Sequence, residues 1–498
     1  MPRLLSLEDL CAQVAQRRIP VTAHSGSVVE GGVFVSLPAT LPRGSEDSAP
    51  GAERFLAEVL AARPFAVLLH PRHVALFESL GGACALVLDE DPREALGHLA
   101  HACYGTDRHC PAVIGITGTN GKTTETYLLE HLLTRLGRKV GVIGTVSYRW
   151  PGFERDAPLT TPGCLELHSM LRDMYEAGVD TAIMEVSSHA LDQKRVAGIS
   201  FAAALLTNVT QDHLDYHPDM EHYFEAKARL FRPMALGGMP LDDKVVAVNA
   251  DDKYGRILLG EQQGRIGFGL AQPPVSGSRH LAGSILSLGP RGLQMRMDFE
   301  GRQWEMASPL VGGFNVMNLL GAQAIALGMG VAVDDLSPLA AFSGVCGRLE
   351  RVPSAAGMNV FVDYAHTPDA LVKAISALRE AGFARIVTVF GCGGNRDRGK
   401  RPLMGKAVAE LTDVAVLTSD NPRDESPEVI MEDVMPGLKG CPEVHTEPDR
   451  RKALGLAVGL LSKEDALLVA GKGHETYQLI KGVKHPFSDQ EILMGLLQ

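Results

Sequence analysis

Gly118-Thr119-Asn120-Gly121-Lys122-Thr123-Thr124 lies between a β-branched apolar run, Pro111 to Thr117, and an apolar-periodic stretch that starts at Thr123. Strand, glycine-rich turn and helix start, in that order, form the layout of a phosphate-binding loop. The glycines let backbone N–H groups close on phosphate oxygens, and the positive end of the helix dipole favours their charge. In such a loop Lys122 reaches the β- and γ-phosphates, and the Thr123 hydroxyl is a ligand for Mg²⁺. The match is not strict, because the common pattern has Gly where Ile116 stands. A plain glycine turn with an exposed lysine is the alternative, and the flanking strand and helix patterns weigh against it. The stretch predicts a site for ATP or a close relative.

Working outward, the helix pattern from Thr123 to Leu136 carries Leu129, Leu133 and Leu136 on one face, and Lys139 to Val146 reads as a returning strand. Apolar runs recur at 181–186 (TAIMEV), 201–208 (FAAALLTN) and 244–249 (KVVAVN). Strands alternating with helices predict a parallel sheet covered on both faces. Before the loop, GGVFVSL (31–37) and PFAVLLH (64–70) read as strands, with AERFLAEVLAA (52–62) as a helix between them and Leu41 to Gly51 as a polar loop. A β-rich polar stretch runs from about Gln272 to Met306, and a helix from Asn315 to Leu327. Beyond Cys346 stand four apolar strands, NVFVDYAH (359–366), RIVTVFGCGGN (385–395), DVAVLTSDNPR (413–423) and ALLVAGKGHE (466–475). Each ends in a glycine-rich or polar loop, and open α/β sheets bind ligands at the carboxyl ends of their strands.

A chain of 498 residues is too long for one hydrophobic core, and about three domains are expected. With 45% hydrophobic and 21% charged residues it has the composition of an ordinary soluble globular protein. A net charge of −11 argues against nucleic acid as a partner, though not against small anions. The eight cysteines form no CxxC pair and no zinc-ligand spacing, so they are expected to be reduced and buried. The N-terminal MPRLLSLEDLCAQVAQRR has no long apolar core and carries acidic residues, unlike a signal peptide. No window offers the roughly 18 apolar residues of a membrane span, so a cytoplasmic protein with no membrane partner is expected.

Several polar clusters could carry chemistry. Glu185, at a strand end before Ser187-Ser188-His189, is placed to hold Mg²⁺ or simply to be solvated, and the serines could cap a helix. NVTQDHLDYH (208–217) holds two His and two Asp within six residues, as metal or phosphate chemistry requires and as an incidental polar loop also allows. Lys227 in EAKARLF reads by itself as a surface lysine. Arg396, Arg398, Lys400 and Arg401 follow Gly393-Gly394 and suit two-pronged binding of carboxylates, or form a solvated basic turn. Asp420-Asn421-Pro422-Arg423 is first a turn signal, and Gly471-Lys472-Gly473-His474-Glu475 is a second glycine-rich strand end.

Taken together, GTNGKTT (118–124), EVSSHAL (185–191), NVTQDHLDYH (208–217), EAKARLF (225–231), GGFNVMN (312–318), GRLERV (347–352), DYAHTPDAL (363–371), GCGGNRDRGKRPLMG (391–405), DNPR (420–423) and GKGHE (471–475) resemble the Mur ligases, ATP-dependent amide-forming enzymes of peptidoglycan precursor synthesis. Within that family they resemble the members that add the third residue of the stem peptide to UDP-N-acetylmuramoyl-L-alanyl-D-glutamate, and DNPR resembles the form that adds meso-diaminopimelate. The resemblance implies an α/β chain of three domains: residues 1–110 for the UDP substrate, 111–345 a central P-loop-type parallel-sheet ATPase domain, and 346–498 a Rossmann-like C-terminal domain for the amino acid. It implies ATP contacts at Gly118 to Thr124, Asn315, Arg348 and Asp363, and a first Mg²⁺ on Thr123 and Glu185. A second Mg²⁺ would sit on His213 and on Lys227, which family members carry as a carbamate formed from CO₂. Lys122, Glu185, His213 and Lys227 are thus the implied catalytic set. The muramoyl-dipeptide contacts would be Thr160, Thr161, Ser187, Gln193 and Arg195, and the diaminopimelate contacts Arg396, Asp420, Asn421, Pro422, Arg423, Gly471 and Glu475. The implied chemistry is an acyl phosphate on the D-glutamyl γ-carboxylate, met by an amine when two domains close. A monomer acting on small molecules is expected.

The family usually shows Asp-Ser-Arg near the N-terminus where this chain has His24-Ser25-Gly26, so only Ser25 is carried over as a uridine-side contact. Leu159 also stands before the paired threonines where some relatives have Asn. The alternatives are lysine as the added residue, a folylpolyglutamate synthase-like ligase, and a P-loop switch or silent binding protein. DNPR, GKGHE and the block before the loop count against the second, and Lys122, Glu185, His213 and Lys227 together count against the third.

Overall fold

The computed structural model describes residues 3–39, 52–232, 244–271 and 274–498. The expected loop from Leu41 to Gly51 and the start of the polar stretch at Gln272 lie outside the described residues. The chain divides into two compact units: Met1–Leu281 with Gly321–Leu336, and Ala282–Leu320 with Ser337–Gln498.

In the first unit, Val21–Thr22, Val33–Val35, Ala66–Leu69 and Ala85–Leu88 make a parallel four-stranded sheet in chain order. These strands are short, and Val33, Phe34, Val35, Ala66, Val67, Leu68 and Leu69 are fully buried, as strands covered on both faces require. The helix Pro92–Tyr104 packs beside them; Asp91 caps it by accepting from Glu94 N at 3.1 Å, and Gly105 ends it at φ 63°. The second sheet of this unit runs parallel in the order Ile266–Gly269, Val245–Asn249, Phe201–Leu206, Ala112–Thr117, Thr181–Glu185 and Val140–Ile143. Ala112–Thr117 stands where the strand order reverses, flanked by Thr181–Glu185 and Phe201–Leu206, and its carboxyl end is therefore the crevice of the sheet.

The expected strand Lys139 to Val146 is shorter than its apolar run. It closes at Ile143, and the chain turns into an antiparallel hairpin, Ser147–Trp150 with Phe153–Asp156. Just past the strand end Gly144 leaves room for a carboxylate: a Cβ there would fall 2.5 Å from Glu185 Oε1.

In the second unit, Gly292–Phe299 and Arg302–Ser308 pair antiparallel within the expected polar stretch. A six-stranded sheet follows, ordered Glu350–Val352, Asn359–Asp363, Ala466–Ala470, Ile386–Phe390, Val414–Thr418 and Glu443–Glu447, parallel except for the first pair. The four expected strands form its centre. The two edges carry polar sequences, ERV and EVHTE, that offer no apolar run to read.

The cysteines correct one expectation. All eight are free, but only Cys164 and Cys392 are buried; Cys346 is exposed and the others are half-buried.

Tight packing joins the helix Pro92–Tyr104 to the turn that leads into Phe201–Leu206. A Cβ on Gly97 would sit 2.5 Å from Ala197 Cβ and 2.7–2.8 Å from its backbone carbonyl, and one on Gly198, at φ 79°, would fall 2.6 Å from Gly97 O. Gly97→Val should therefore destabilise this unit by about 1–3 kcal/mol through overpacking. A lowered urea midpoint checks this, and an unchanged one contradicts the contact.

Candidate active site

The glycine-rich loop is fixed from the neighbouring strand. Gly118, at φ 150°, passes so close to Thr207 that a Cβ would fall 1.9 Å from its hydroxyl oxygen. Thr119 N donates to Asn208 O at 2.8 Å, Asn120 N donates to Asn208 Oδ1 at 3.1 Å, and the Thr207 hydroxyl donates to Asn120 O at 2.5 Å. Gly121, at φ 89°, turns the chain into the helix Lys122–Arg135, whose first N–H groups face the loop. Lys122 Nζ donates to Gly118 O at 2.8 Å and Thr119 O at 3.0 Å. It is thus held over the cradle where phosphate oxygens would compete for it.

Glu185 sits beside this loop because its strand pairs Ile116 with Glu185 in parallel register. The carboxylate is buried and takes three hydrogen bonds: from the Thr123 hydroxyl to Oε2 at 3.1 Å, from Thr145 N to Oε1 at 2.9 Å, and from the Thr145 hydroxyl to Oε2 at 2.9 Å. Thr145 was absent from the sequence-derived set. It also meets the Thr160 hydroxyl at 3.2 Å, and so links the carboxylate to the expected dipeptide contacts. The Thr161 hydroxyl donates to Glu185 O at 2.8 Å and accepts from Ser187 N at 3.1 Å, while Arg195 donates to Thr161 O at 3.0 Å and to Gln193 Oε1. Thr160, Thr161, Ser187, Gln193 and Arg195 are therefore contiguous. The Ser187 hydroxyl accepts from Ala190 N at 3.2 Å and caps a short helix, as its alternative reading allowed. Ser25 lies apart from this group, in a short helical turn, Ser25–Ser27.

Lys227 is not a surface lysine. It is buried on the helix Met220–Ala228, and its Nζ donates to Gly118 O at 2.9 Å, the carbonyl Lys122 also uses. Burial, and then the Lys122 charge, drive its pKa well below the usual lysine value, against a smaller pull from Asp212. The histidines of 208–217 divide. His213 is half-exposed, at φ 52°, with its pKa lowered by burial although Asp212 opposes the shift. His217 is buried against the Ser188 hydroxyl at 3.1 Å, with its pKa pushed down to about 4, and belongs to the packing.

Thr123 Oγ1 and Glu185 Oε2 form the hard oxygen pair that Mg²⁺ takes, so the residues present fit a first ion. His213 with an unmodified Lys227 offers no anionic oxygen, and among the described residues no trio of His, Cys, Asp or Glu gathers to hold a metal. A second ion fits there only if Lys227 is converted to an anion.

The remaining candidates lie in the second unit. Asn315 donates to Val311 O at 2.8 Å and accepts from Asn318 at 3.0 Å. Asp363 accepts from Leu349 N and Ala365 N, both at 2.7 Å, and Arg348 lies 5.2 Å from the Tyr364 ring. Asn421 donates to Glu475 Oε2 at 2.9 Å, and a Cβ on Gly471 would strike Asp420 Oδ2 at 2.5 Å. Arg423, at φ 53°, donates to Gly394 O at 2.9 Å. A Cβ on Gly393 would fall 2.9 Å from Arg423 Nη1 and 3.6 Å from Arg396 Cγ, which places both arginines over that glycine. Arg401, by contrast, is buried in ion pairs with Glu425 at 2.7 Å and Asp433 at 2.8 Å, and Arg398 reaches the same two carboxylates at 3.3 Å. Both pin the loop, and Arg401, fully buried, is not free to bind a ligand.

Residues 116–326 match the family profile described as the Mur ligase middle domain, and residues 347–473 match that of the Mur ligase, glutamate ligase domain. A protein of Lawsonia intracellularis named UDP-N-acetylmuramoyl-L-alanyl-D-glutamate–2,6-diaminopimelate ligase is 50% identical over 99% of this chain and 98% of its own. One of the same name from Aquifex aeolicus is 40% identical over 96% and 93%. A solved structure of a ligase of that name superimposes with a TM-score of 0.69 at 31% identity, over 96% of this chain and 94% of that one. Folylpolyglutamate synthase of Mycobacterium tuberculosis shares the fold alone, with a TM-score of 0.56 at 20% identity over 76% and 92%.

Thr145→Val removes a hydroxyl from Glu185 without changing the side-chain shape. It should weaken Mg²⁺-dependent binding of a non-hydrolysable ATP analogue by about tenfold, the worth of one hydrogen bond to a charged group. Calorimetric titration checks this against unchanged thermal unfolding.

Proposed function

The chain belongs to the Mur ligase family, and from that premise we propose that it joins an amine of meso-diaminopimelate to the D-glutamyl γ-carboxylate of UDP-N-acetylmuramoyl-L-alanyl-D-glutamate, converting ATP to ADP and phosphate in cytoplasmic peptidoglycan precursor synthesis. The observation that carries the reading is the 50% identity over 99% of the chain to a ligase of that name. The contiguous chain of hydrogen bonds from the phosphate loop through Glu185 and Thr145 to Thr160 supports it. Three working domains are proposed, residues 1–110, 111–345 and 346–498, each with its own sheet.

A carboxylate is a poor acyl donor, so the γ-phosphoryl group must first pass to it. The γ-carboxylate oxygen attacks the terminal phosphorus, the bond to the bridging oxygen breaks, and ADP leaves. Backbone N–H groups of Gly118 to Thr124 and the Lys122 ammonium hold the phosphates in line and balance charge on the oxygens in flight. Thr160, Thr161, Ser187, Gln193 and Arg195 orient the dipeptide so that its carboxylate lies at the γ-phosphate. The free amine then attacks the acyl carbon, loses a proton, and phosphate departs to leave the amide.

Thr123 and Glu185 would hold one Mg²⁺, and His213 with carbamylated Lys227 a second; bound there, the ions supply positive charge against the phosphate oxygens. For Lys227, the neutral amine adds to CO₂ and gives up a proton, leaving an anionic oxygen of the kind a hard cation prefers. Its burial and its position beside Lys122 favour that neutral amine. Lys227→Ala should lower kcat by about a hundredfold or more, with partial recovery in added short carboxylic acids that replace the oxygen. Full activity without rescue would remove Lys227 from the site.

Arg423 is proposed to read the far carboxylate of diaminopimelate, which lysine lacks; lysine would leave that guanidinium unpaired. The test is phosphate release with ATP and the UDP-dipeptide, comparing meso-diaminopimelate with L-lysine and weighing the product. Turnover with lysine would overturn the assignment of the added residue. Arg423→Ala should raise KM for diaminopimelate by about a hundredfold and leave KM for ATP within about twofold.

A further inference from the structure

Lys472 is fully buried, although the sequence gives it only as the second residue of a common glycine-rich turn. The flanking glycines turn it inward. Gly471 and Gly473 sit at φ 114° and 53°, and a Cβ on Gly473 would fall 2.7 Å from Tyr364 Cβ. An ammonium is among the most strongly hydrated side-chain groups, and burying one is costly unless it is paired. Here Nζ donates to Glu475 Oε2 at 2.9 Å and to Asn421 Oδ1 at 3.3 Å, and lies 5.7 Å from the Tyr477 ring.

These bonds order both partners. Asn421 Oδ1 also accepts from Leu479 N at 2.9 Å, so both donors fix the amide with its oxygen toward them and its NH₂ toward Glu475. Glu475 Oε2 in turn takes two donors, Asn421 Nδ2 and Lys472 Nζ, both at 2.9 Å. Among the described residues Oε1 takes no hydrogen bond, and the side chain keeps 17% of its surface exposed. One carboxylate oxygen is therefore tied down and the other is left to accept from outside.

We propose that Lys472 is a positioning residue of the amino-acid subsite: it locks Glu475 so that Oε1 meets an ammonium group of the incoming amino acid, and it sets the Asn421 amide that shares the same oxygen. The proposal rests on the reading of Asn421 and Glu475 as diaminopimelate contacts. A hydrocarbon side chain would fill the same space at lower cost in desolvation, so packing alone does not account for a cation here.

The experiment uses the full chain and steady-state kinetics with each substrate varied in turn. Lys472→Met should raise KM for meso-diaminopimelate by about tenfold or more, while kcat and the KM values for ATP and the UDP-dipeptide stay within about threefold. Glu475→Gln should act in the same direction. The double variant should lose clearly less than the product of the two single losses, because Lys472 acts in part through Glu475. Additive losses in the double variant, an unchanged KM for diaminopimelate in Lys472→Met, or a uniform fall in kcat with all KM values would overturn the proposal. If Lys472→Met does not fold, Lys472→Gln, which keeps a donor and removes the charge, carries the same comparisons. An unchanged KM in Glu475→Gln would instead overturn the placing of the amino-acid site.

Discussion

Two lysines reach one carbonyl. Lys122 and Lys227 come from different helices and both donate to Gly118 O, one at 2.8 Å and one at 2.9 Å. Two ammonium groups so close in a buried place repel strongly, and the cost falls on the more buried of them. Lys227, the more buried of the two, is the one pushed toward the neutral amine. Much of the surrounding structure serves this convergence. Gly118 has no side chain because Thr207 fills that space, and Thr207 with Asn208 in turn holds the loop against the neighbouring strand. Tyr223, one turn before Lys227, meets the Thr119 hydroxyl at 3.0 Å and covers the lysine from the side.

The carboxylate beside the loop depends on register rather than on proximity in sequence. Glu185 is level with Ile116, so a slip of one residue would turn its side chain to the opposite face of the sheet. Gly144 leaves room for it and Thr145 ties both its oxygens. A carboxylate with three donors is held ready for a cation at fixed geometry, because its rotamer is chosen before any ligand arrives.

The loop at 118–124, the central strands and the order of the blocks were legible because each depends on local pattern: an apolar run, a glycine turn, a helix period. Glu443–Glu447 was not, since an edge strand paired through its backbone to Val414–Thr418 needs no apolar side chains. Thr145 and Lys472 were missed for a related reason. A threonine after a glycine and a lysine between glycines are common in surface turns, and only long-range contacts, to Glu185 and Asn421, give them meaning. The four basic residues after Gly394 looked alike in sequence, yet Glu425 and Asp433, more than twenty residues onward, draw Arg401 into the interior and leave Arg396 over Gly393.

What holds the Asp420–Arg423 and Gly471–Glu475 loops in place is a charge pair that neither loop contains. Arg450 is fully buried and its guanidinium meets both oxygens of Asp489, at 2.9 and 2.7 Å. Its remaining donors go to Ala470 O at 2.9 Å and to Ser419 O at 3.4 Å. Those two carbonyls are the last residues before Gly471 and Asp420, where the two loops begin. A buried ion pair is weak support for stability, since apolar residues of equal volume do as well. A guanidinium, however, presents several donors in one rigid plane, and a hydrocarbon cannot fix two strand ends at a set separation. Arg450 thus converts the cost of desolvation into fixed spacing between the Asp420–Arg423 and Gly471–Glu475 loops. That spacing is what lets Asn421 meet Glu475 at 2.9 Å.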